Sequence, residues 1–350
     1  MADRIRFERR TELAGFHSPL AGMEFAEDTI EVRTDPLTGM TAVASAGLEA
    51  KEEMFLGKTD WEYTDSLVAR SREGCFFCPE NVLDATPRYP ERLAPGGRLS
   101  RGRALVFPNL FPLAAVHAVV TYPEKHFLRP SQFTPSLLEE GLGAGLDFAR
   151  RASAYYPGLL HLQISCNHML PSGASLVHPH FQVFGGETVP WLTRLYWERS
   201  TQWLETRGES YWETLVRQEQ AEGERYLWGS SGAHWLVPFA PAGAREALAV
   251  VPSAARITDL GDEHVAALAY GLTRLLTWYE DEGLSAFNFT VYGGPADGRE
   301  GGFPVVLRII ARTAFKQDYR TDDYFLQKQL GGELMFAAPE DMAARLRTLF

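Results

Sequence analysis

The chain has 350 residues, 45% of them hydrophobic, with 34 basic against 45 acidic side chains and a formal charge of −11. That size and apolar share specify a globular protein with one large core or two smaller ones, and the charge argues against a broad nucleic-acid surface, which needs a local excess of Lys and Arg. The sequence holds no run of about 18 apolar residues that could span a membrane, and its charged start, MADRIRFERR, lacks the apolar stretch of a secretory signal, so a cytoplasmic protein is expected. Small phosphorylated substrates stay compatible with this charge, because a pocket needs only a few donors.

Along residues 1–100, Gly, Pro and Asp break the pattern into short segments such as 29–33 and 41–44, and no long helical period is read there. The three cysteines, Cys75, Cys78 and Cys166, cannot build a disulfide framework. A C-x-x-C pair in a reducing compartment points instead to metal or redox chemistry, and Cys166 is expected to be a small buried residue. From Leu105 the pattern becomes regular. Residues 104–107 and 116–121 read as strands, and Thr134 caps a helix that Pro135 opens and that runs to about Arg151. Residues 160–165 alternate as a strand, with Leu160, Leu162 and Ile164 on one face.

The segment 172–184, SGASLVHPHFQVF, carries the most chemistry. As a strand it would place His178, His180 and Gln182 on one face, with Val177, Pro179, Phe181 and Val183 on the other. Two imidazoles and an amide over an apolar backing can supply a metal ligand, a nucleophile and a neutral donor for a phosphoryl oxygen. The bland alternative is a pair of satisfied surface histidines. Cys75 and Cys78 can offer two thiolates to a tetrahedral zinc, the motif strand an imidazole, and either His117 or His126 the fourth ligand; His126 falls just past a strand end.

The second half repeats the order of elements weakly. Residues 247–251 read as a strand, Asp262 caps a helix striped with Val265, Leu268, Leu272, Leu275 and Tyr279, and 287–291 and 305–311 read as strands, with loops at 293–302. Between the halves, the Trp-, Glu- and Arg-rich stretch from Trp191 to about Gly232 reads as a helical insertion. The expectation is an α+β fold of two histidine-triad-like half-domains, residues 1–190 and 233–350, with mainly antiparallel sheet flanked by helices and residues 191–232 inserted between them.

Taken together these residues resemble the galactose-1-phosphate uridylyltransferase family of the histidine-triad superfamily. The likeness begins at Asp35-Pro36-Leu37-Thr38-Gly39 and continues through Cys75 and Cys78 with Pro79-Glu80-Asn81, Asn109 with Phe111-Pro112, His117, Pro123 and His126. Its most specific part is Asn167, Gly173, Ser175, His178, His180 and Gln182, and a weaker likeness runs on to residues 339–347.

The resemblance implies that His180 is the nucleophile that attacks the α-phosphorus of a nucleotide sugar, giving a nucleotidyl-histidine. Gln182 would hydrogen-bond a non-bridging oxygen where hydrolytic relatives carry a third histidine, and an amide there favours transfer over hydrolysis. Cys75, Cys78, His126 and His178 would hold one zinc per chain. Asn109 would meet the nucleoside, and Asn167, Gly173 and Ser175 would position phosphates; a turn or cap role is the plain alternative for each of these four. The implied reaction moves a nucleoside monophosphate between a nucleotide sugar and a sugar 1-phosphate, in a homodimer. A phosphorylase using inorganic phosphate, a nucleotide-conjugate hydrolase and a non-catalytic binding protein are the competing readings.

The sequence also departs from the family's pattern. Thr41 and Ala46-Gly47-Leu48 stand where the family usually has a tryptophan and a phosphate-binding Pro-His-Arg run. The segments FTVYGGP and VVLRIIAR lack the histidines that hold another metal in some members, so no second metal is expected. Arg308, and more weakly Lys328, are candidates for supplying positive charge instead.

Overall fold

Alternation over residues 160–165 and 287–291, with apolar runs at 104–107, 247–251 and 305–311, calls for a sheet covered by helices. The computed structural model, which describes residues 4–49, 51–299 and 301–350, has that form. Its first elements are a hairpin of β1 (Glu8–Ser18) and β2 (Glu24–Thr34), then β3 (Thr41–Ser45) and the helices α1 (Ala46–Glu49), α2 (Glu52–Leu56), α3 (Trp61–Arg72) and α4 (Val82–Ala85). The next are β4 (Leu99–Arg101), β5 (Ala104–Pro108), β6 (Val116–Thr121), α5 (Pro135–Tyr155), β7 (His161–His168) and β8 (His180–Gly186). After α6 (Trp191–Arg207) and α7 (Tyr211–Glu222) come β9 (Tyr226–Ser230), β10 (Ala233–Leu236), β11 (Ala247–Val251), α8 (Asp262–Asp281), β12 (Phe287–Tyr292) and β13 (Val305–Ala311). The chain closes with β14 (Gly332–Leu334) and α9 (Pro339–Leu346).

Ten strands form one antiparallel sheet in the order β4-β5-β6-β8-β7-β12-β13-β11-β10-β9. Numbered inward from either edge, the two halves have the same connectivity. Three strands run in sequence, a helix crosses to the innermost strand, and the last strand inserts between. The halves join where β7 pairs with β12, with Asn167 opposite Asn288 and Ser165 opposite Thr290. The α+β architecture of two like half-domains is therefore the observed one.

The crossover helices α5 and α8 lie on the same face of the sheet and share its main core, in which Leu138, Leu142, Leu272 and Leu276 pack with strand residues Val120, Ile164, Phe181, Phe289 and Leu307. Burying each such side chain contributes about 2 kcal/mol. Close approach depends on Gly141, where a Cβ would run into Tyr122 and Phe181, and on Gly271, where it would run into Trp235. The opposite face is treated unequally. In the C-terminal half, Leu236, Leu248, Val250 and Val306 are buried with Tyr196 of α6 and Trp212 and Leu215 of α7. In the N-terminal half that face carries the motif residues.

Several local expectations change. Residues 1–100 contain two long strands and a twelve-residue helix, α3, whose N-cap Asp60 accepts from the Tyr63 N–H. The strands were obscured because β1 is exposed along almost its whole length, so its residues show no alternation. The first helix of the regular region extends to Tyr155, beyond Arg151. Asp262 is the first residue of α8; Gly261 is the cap, and its N–H donates to His264 Nδ1. Residues 293–302 lie outside helices and strands, apart from Glu300, which falls outside the described residues.

The smaller sheet, ordered β1-β2-β3-β14, is locked to the body by ion pairs. Glu340 at the start of α9 accepts from Arg33 Nη1 of β2 at 2.9 Å and from Arg225 Nη1 at 2.7 Å, and both arginine side chains are 2% exposed. Each guanidinium also lies over the Phe239 ring. Burial alone would push the Glu340 carboxyl up, but the hydrogen bonds and charges of Arg33 and Arg225 hold it down at about 2. A carboxylate depressed in the fold stabilises it above the ordinary carboxylate range and loses that contribution as pH falls through the folded value. Glu340→Gln is therefore expected to cost about 2 kcal/mol at neutral pH in chemical denaturation, and the gap from the parent protein should close between about pH 5 and pH 2; a gap unchanged at low pH would contradict this role.

Candidate active site and metal centre

Cys75 and Cys78 lie in the turn after α3, where the Cys78 N–H donates to the Cys75 carbonyl and the Asn81 amide donates to the same oxygen. His126 follows the turn that ends β6, and His178 sits just before β8. The structure gathers these four buried residues so that one ligand atom of each lies within 4.8 Å of all the others. Cys75 Sγ is 3.4 Å from His178 Nδ1, Cys78 Sγ is 3.3 Å from His126 Nδ1, and Cys78 Sγ is 3.8 Å from His178 Nδ1. Bond lengths of about 2.3 Å to sulfur and about 2.0 Å to nitrogen place donors of a tetrahedral ion about 3.3–3.8 Å apart, so the residues fit a metal.

The outer contacts set the tautomers for that purpose. His178 Nε2–H donates to the Tyr122 carbonyl at 3.0 Å, and His126 Nε2–H faces the Val68 carbonyl at 3.1 Å and Ser71 Oγ at 3.1 Å. Both Nδ1 lone pairs are thus turned inward. Burial lowers both imidazoles, His178 to about 4, and keeps them neutral. Burial and the neighbouring Cys75 push the Cys78 thiol up to about 12. A buried thiolate pair needs a cation beside it, which is the chemistry of a metal-binding donor set. His117, the other sequence candidate for fourth ligand, is not in this cluster.

His180 opens β8, so the motif strand starts later than expected and His178 falls in a bend before it. His180 Nδ1–H donates to the His178 carbonyl at 2.9 Å. That bond leaves the lone pair on Nε2, which among the described residues makes no hydrogen bond. The residue is 7% exposed, and Nε2 is not among the atoms sealed from solvent. Burial lowers the His180 imidazole, against the hydrogen bond to His178, which raises it. The edge of Phe77 packs against both rings, at 5.7 Å from His178 and 5.6 Å from His180.

Beside His180 runs a half-buried polar strip: Gln182 on β8, Gln163, Ser165 and Asn167 on β7, and Asn288, Thr290 and Tyr292 on β12. Ser165 lies directly across from Gln182, and continuing that register sets Asn167 across from His180. Gln182 Oε1 accepts from His117 Nε2–H at 2.6 Å, and the Leu113 backbone N–H donates to His117 Nδ1 at 3.1 Å. Asn167 Oδ1 accepts from Asn288 Nδ2 at 2.6 Å; Asn288 Nδ2 also donates to the Ser172 carbonyl, and its Oδ1 accepts from Arg312 Nη1 at 2.8 Å.

The remaining predicted residues take local roles. Asn109 Oδ1 accepts from the Phe111 N–H, closing the β5–β6 loop; its Nδ2, 3.3 Å from His117 Nε2, meets another donor and makes no hydrogen bond there. Gly173, at φ 88°, ends the turn after β7, a conformation that favours glycine. Ser175 is exposed on the same loop. Cys166 is buried, as expected. Arg308 is removed from the strip: its Nε donates to Glu246 at 2.5 Å and its Nη1 to Tyr196 Oη. Lys328 is exposed and paired with Asp323.

Three residues of this neighbourhood went unread in the sequence, Phe77, Asn288 and Arg312, while Ser165 was placed on the polar face of its strand without a role. His117 was singled out, but as a metal candidate. The alternation of VHAVVT could have placed it on one face with Val119 and Thr121; its meeting with Gln182 depends on the β6–β8 register, which sequence does not reveal.

Comparison with known proteins finds no matching protein-family model. An uncharacterised protein of Archaeoglobus fulgidus is 28% identical over 347 residues, covering 99% of each chain. Among solved structures, an ADP-glucose phosphorylase of Arabidopsis thaliana with bound ADP-glucose superposes with a TM-score of 0.68 at 18% identity, covering 91% of this chain and 98% of its own. A uridylyltransferase superposes at 0.64 and 19% identity, again over 91% of this chain and 98% of its own. The chain therefore has the fold of the galactose-1-phosphate uridylyltransferase-like proteins.

The donor set predicts about one tightly bound divalent metal per chain by elemental analysis, with Cys78→Ser losing most of it and melting at a lower temperature. Unchanged metal content in Cys78→Ser would remove the cluster as the binding site.

Proposed function

We propose that the protein is a nucleotidyltransferase that passes a nucleoside monophosphate from a nucleotide sugar to a phosphate acceptor by way of a covalent nucleotidyl-His180. The observation that carries this reading is the His180 Nδ1–H bond to the His178 carbonyl, which fixes Nε2 as a neutral nucleophile beside the polar strip. In the first step the Nε2 lone pair attacks the α-phosphorus, the P–N bond forms, and the bond to the sugar 1-phosphate oxygen breaks with its electron pair. The ring becomes cationic in this step, and the His178 carbonyl, still accepting from Nδ1–H, stabilises that charge. An oxygen of the acceptor phosphate then attacks phosphorus and the P–N bond breaks, restoring the neutral ring.

Gln182 and Asn167 would donate to the non-bridging oxygens, where the transition state spreads negative charge. Neither amide can supply or remove a proton, which favours transfer to an incoming phosphate over activation of water. Cys75, Cys78, His126 and His178 would hold zinc. When bound, that ion supplies a rigid cross-link between the cysteine turn and the residue two positions before the nucleophile. Asn109 would meet the nucleoside, and Gly173 and Ser175 would shape the loop beside the phosphates. A homodimer belongs to the same reading, supported by the exposed apolar Leu110, Phe111 and Leu113 next to the site.

Inorganic phosphate is the second acceptor to weigh, because one matched fold is that of an ADP-glucose phosphorylase and because α1 stands in place of the phosphate-binding Pro-His-Arg run of the family.

The test is incubation with ADP-glucose and UDP-glucose labelled at the α-phosphate. An acid-labile, base-stable label on His180, absent from His180→Ala, is expected, together with at least a thousandfold loss of exchange in that variant. Comparing glucose 1-phosphate with inorganic phosphate as acceptor separates the two readings, and label retained by His180→Ala would overturn both.

A further inference from the structure

We infer that His117 and Asn288 are positioning residues that orient the side-chain amides of Gln182 and Asn167, so that both NH2 groups point toward the phosphoryl group in front of His180. The inference rests on the nucleotidyl-transfer reading for its consequence in catalysis, and on hydrogen-bond geometry for the orientation itself.

A side-chain amide has a donor end and an acceptor end of nearly the same shape, so its direction must come from its partners. Here each direction traces back to a donor that cannot be reversed. The Leu113 backbone N–H donates to His117 Nδ1, so the ring's proton is on Nε2, which donates it to Gln182 Oε1. The Arg312 guanidinium has donors alone. It donates to Asn288 Oδ1, which turns Asn288 Nδ2 toward Asn167 Oδ1 and the Ser172 carbonyl. Arg312 is itself held by Asp322 and Asp323, with its side chain 12% exposed. The turn bearing Ser172 starts at Met169, whose φ of 66° is costly for a residue with a side chain.

Both amide oxygens are therefore occupied from behind. Gln182 Nε2 and Asn167 Nδ2 have no hydrogen-bond partner among the described residues, and neither is sealed from solvent. Asn167 faces His180 across the strand pair by register, and Gln182 lies two residues further along β8, about 7 Å on. Two open donors thus flank the approach to the nucleophile. Were either amide reversed, an oxygen would face the anionic phosphoryl group, turning attraction into repulsion at the point where charge develops. The support for Gln182 comes from β6 of its own half, and that for Asn167 from β12 of the other.

The experiment compares His117→Phe, which keeps a ring against Phe184 but has no N–H, with His117→Gln, which returns an amide donor near the place of Nε2; Asn288→Leu probes the second amide separately. The first readout is 15N relaxation of the side-chain amides, which needs no turnover. Gln182 is expected to be rigid in the parent and His117→Gln proteins and mobile in His117→Phe, with an order parameter below about 0.6, while Asn167 loosens in Asn288→Leu alone. The second is the rate of His180 labelling from α-labelled ADP-glucose or UDP-glucose. His117→Phe is expected to slow it about tenfold to a hundredfold, with KM changed less than the rate and metal content unchanged, and His117→Gln should recover most of the loss. A Gln182 amide equally rigid in His117→Phe, or an undiminished labelling rate, would overturn the inference. If the parent protein takes no label from either nucleotide sugar, the transfer reading fails, and the relaxation data still decide whether His117 and Asn288 hold the amides.

Discussion

One backbone carbonyl organises the chemistry of this protein. The oxygen of His178 accepts from His180 Nδ1–H, while the imidazole of the same residue turns away to meet Cys75 and Cys78. Two neighbouring histidines are thereby given opposite tasks. One offers Nδ1 inward to a metal-binding cluster because its Nε2–H is held by the Tyr122 carbonyl; the other offers Nε2 to the open strip because its Nδ1–H is held by His178. A shift of the strand start by one residue would destroy both assignments, since every side chain would change face. The placement of β8 is accordingly secured from both sides, by β6 and β7, and the Thr121 hydroxyl donates to the Pro179 carbonyl at 2.9 Å.

The duplicated architecture explains why, among the described residues, the second half does not repeat this arrangement. Each half has a last strand inserted beside its innermost one, β8 in the first and β13 in the second. Gln182, Ser165, Thr290 and Arg308 lie in register across four adjacent strands, so Arg308 falls about 14 Å from Gln182 along that row. In the second half the row is closed: α6 and α7 cover it, and Arg308 is consumed by Glu246 and Tyr196. A guanidinium tied to a 1%-exposed carboxylate is part of the packing, which is why the positive charge expected there does not reach the strip. The second half contributes instead through its inner strand, where Thr290 bonds Ser165 and Asn288 bonds Asn167.

The sequence made visible those features whose physics is local. Thr134 with Pro135 marked the start of α5, alternation marked β7 and β12, an apolar run marked β13, and spacing alone was enough to suspect Cys75 and Cys78. The choice of His126 over His117 as the histidine beside the cysteines came with the family resemblance, because from the residues alone either could serve. What stayed hidden depends on pairing between distant segments. β1 shows no apolar face because it is exposed along almost its whole length, so its residues do not read as a strand. Asn288 and Arg312 are ordinary polar residues until β12 is laid against β7. His117 illustrates the same limit: its type was noticed and its neighbour was not, since the β6–β8 register exists only in the folded sheet.

The strip in front of His180 then has a physical logic that runs outward from the core. Amides are weak donors when free to rotate, because they spend much of their time presenting the wrong end or bonding to water. On the proposed nucleotidyl-transfer reading, fixing the oxygen of each amide removes that freedom before a phosphate arrives, so the cost of ordering falls on folding and not on the transition state. The chains of bonds doing this end at the Leu113 backbone N–H, by way of His117, and at the Arg312 guanidinium, which Asp322 and Asp323 hold in place. On the same reading, an amide at the position of Gln182 gives up the ability to carry a proton, which a transfer between two phosphates does not need at that place.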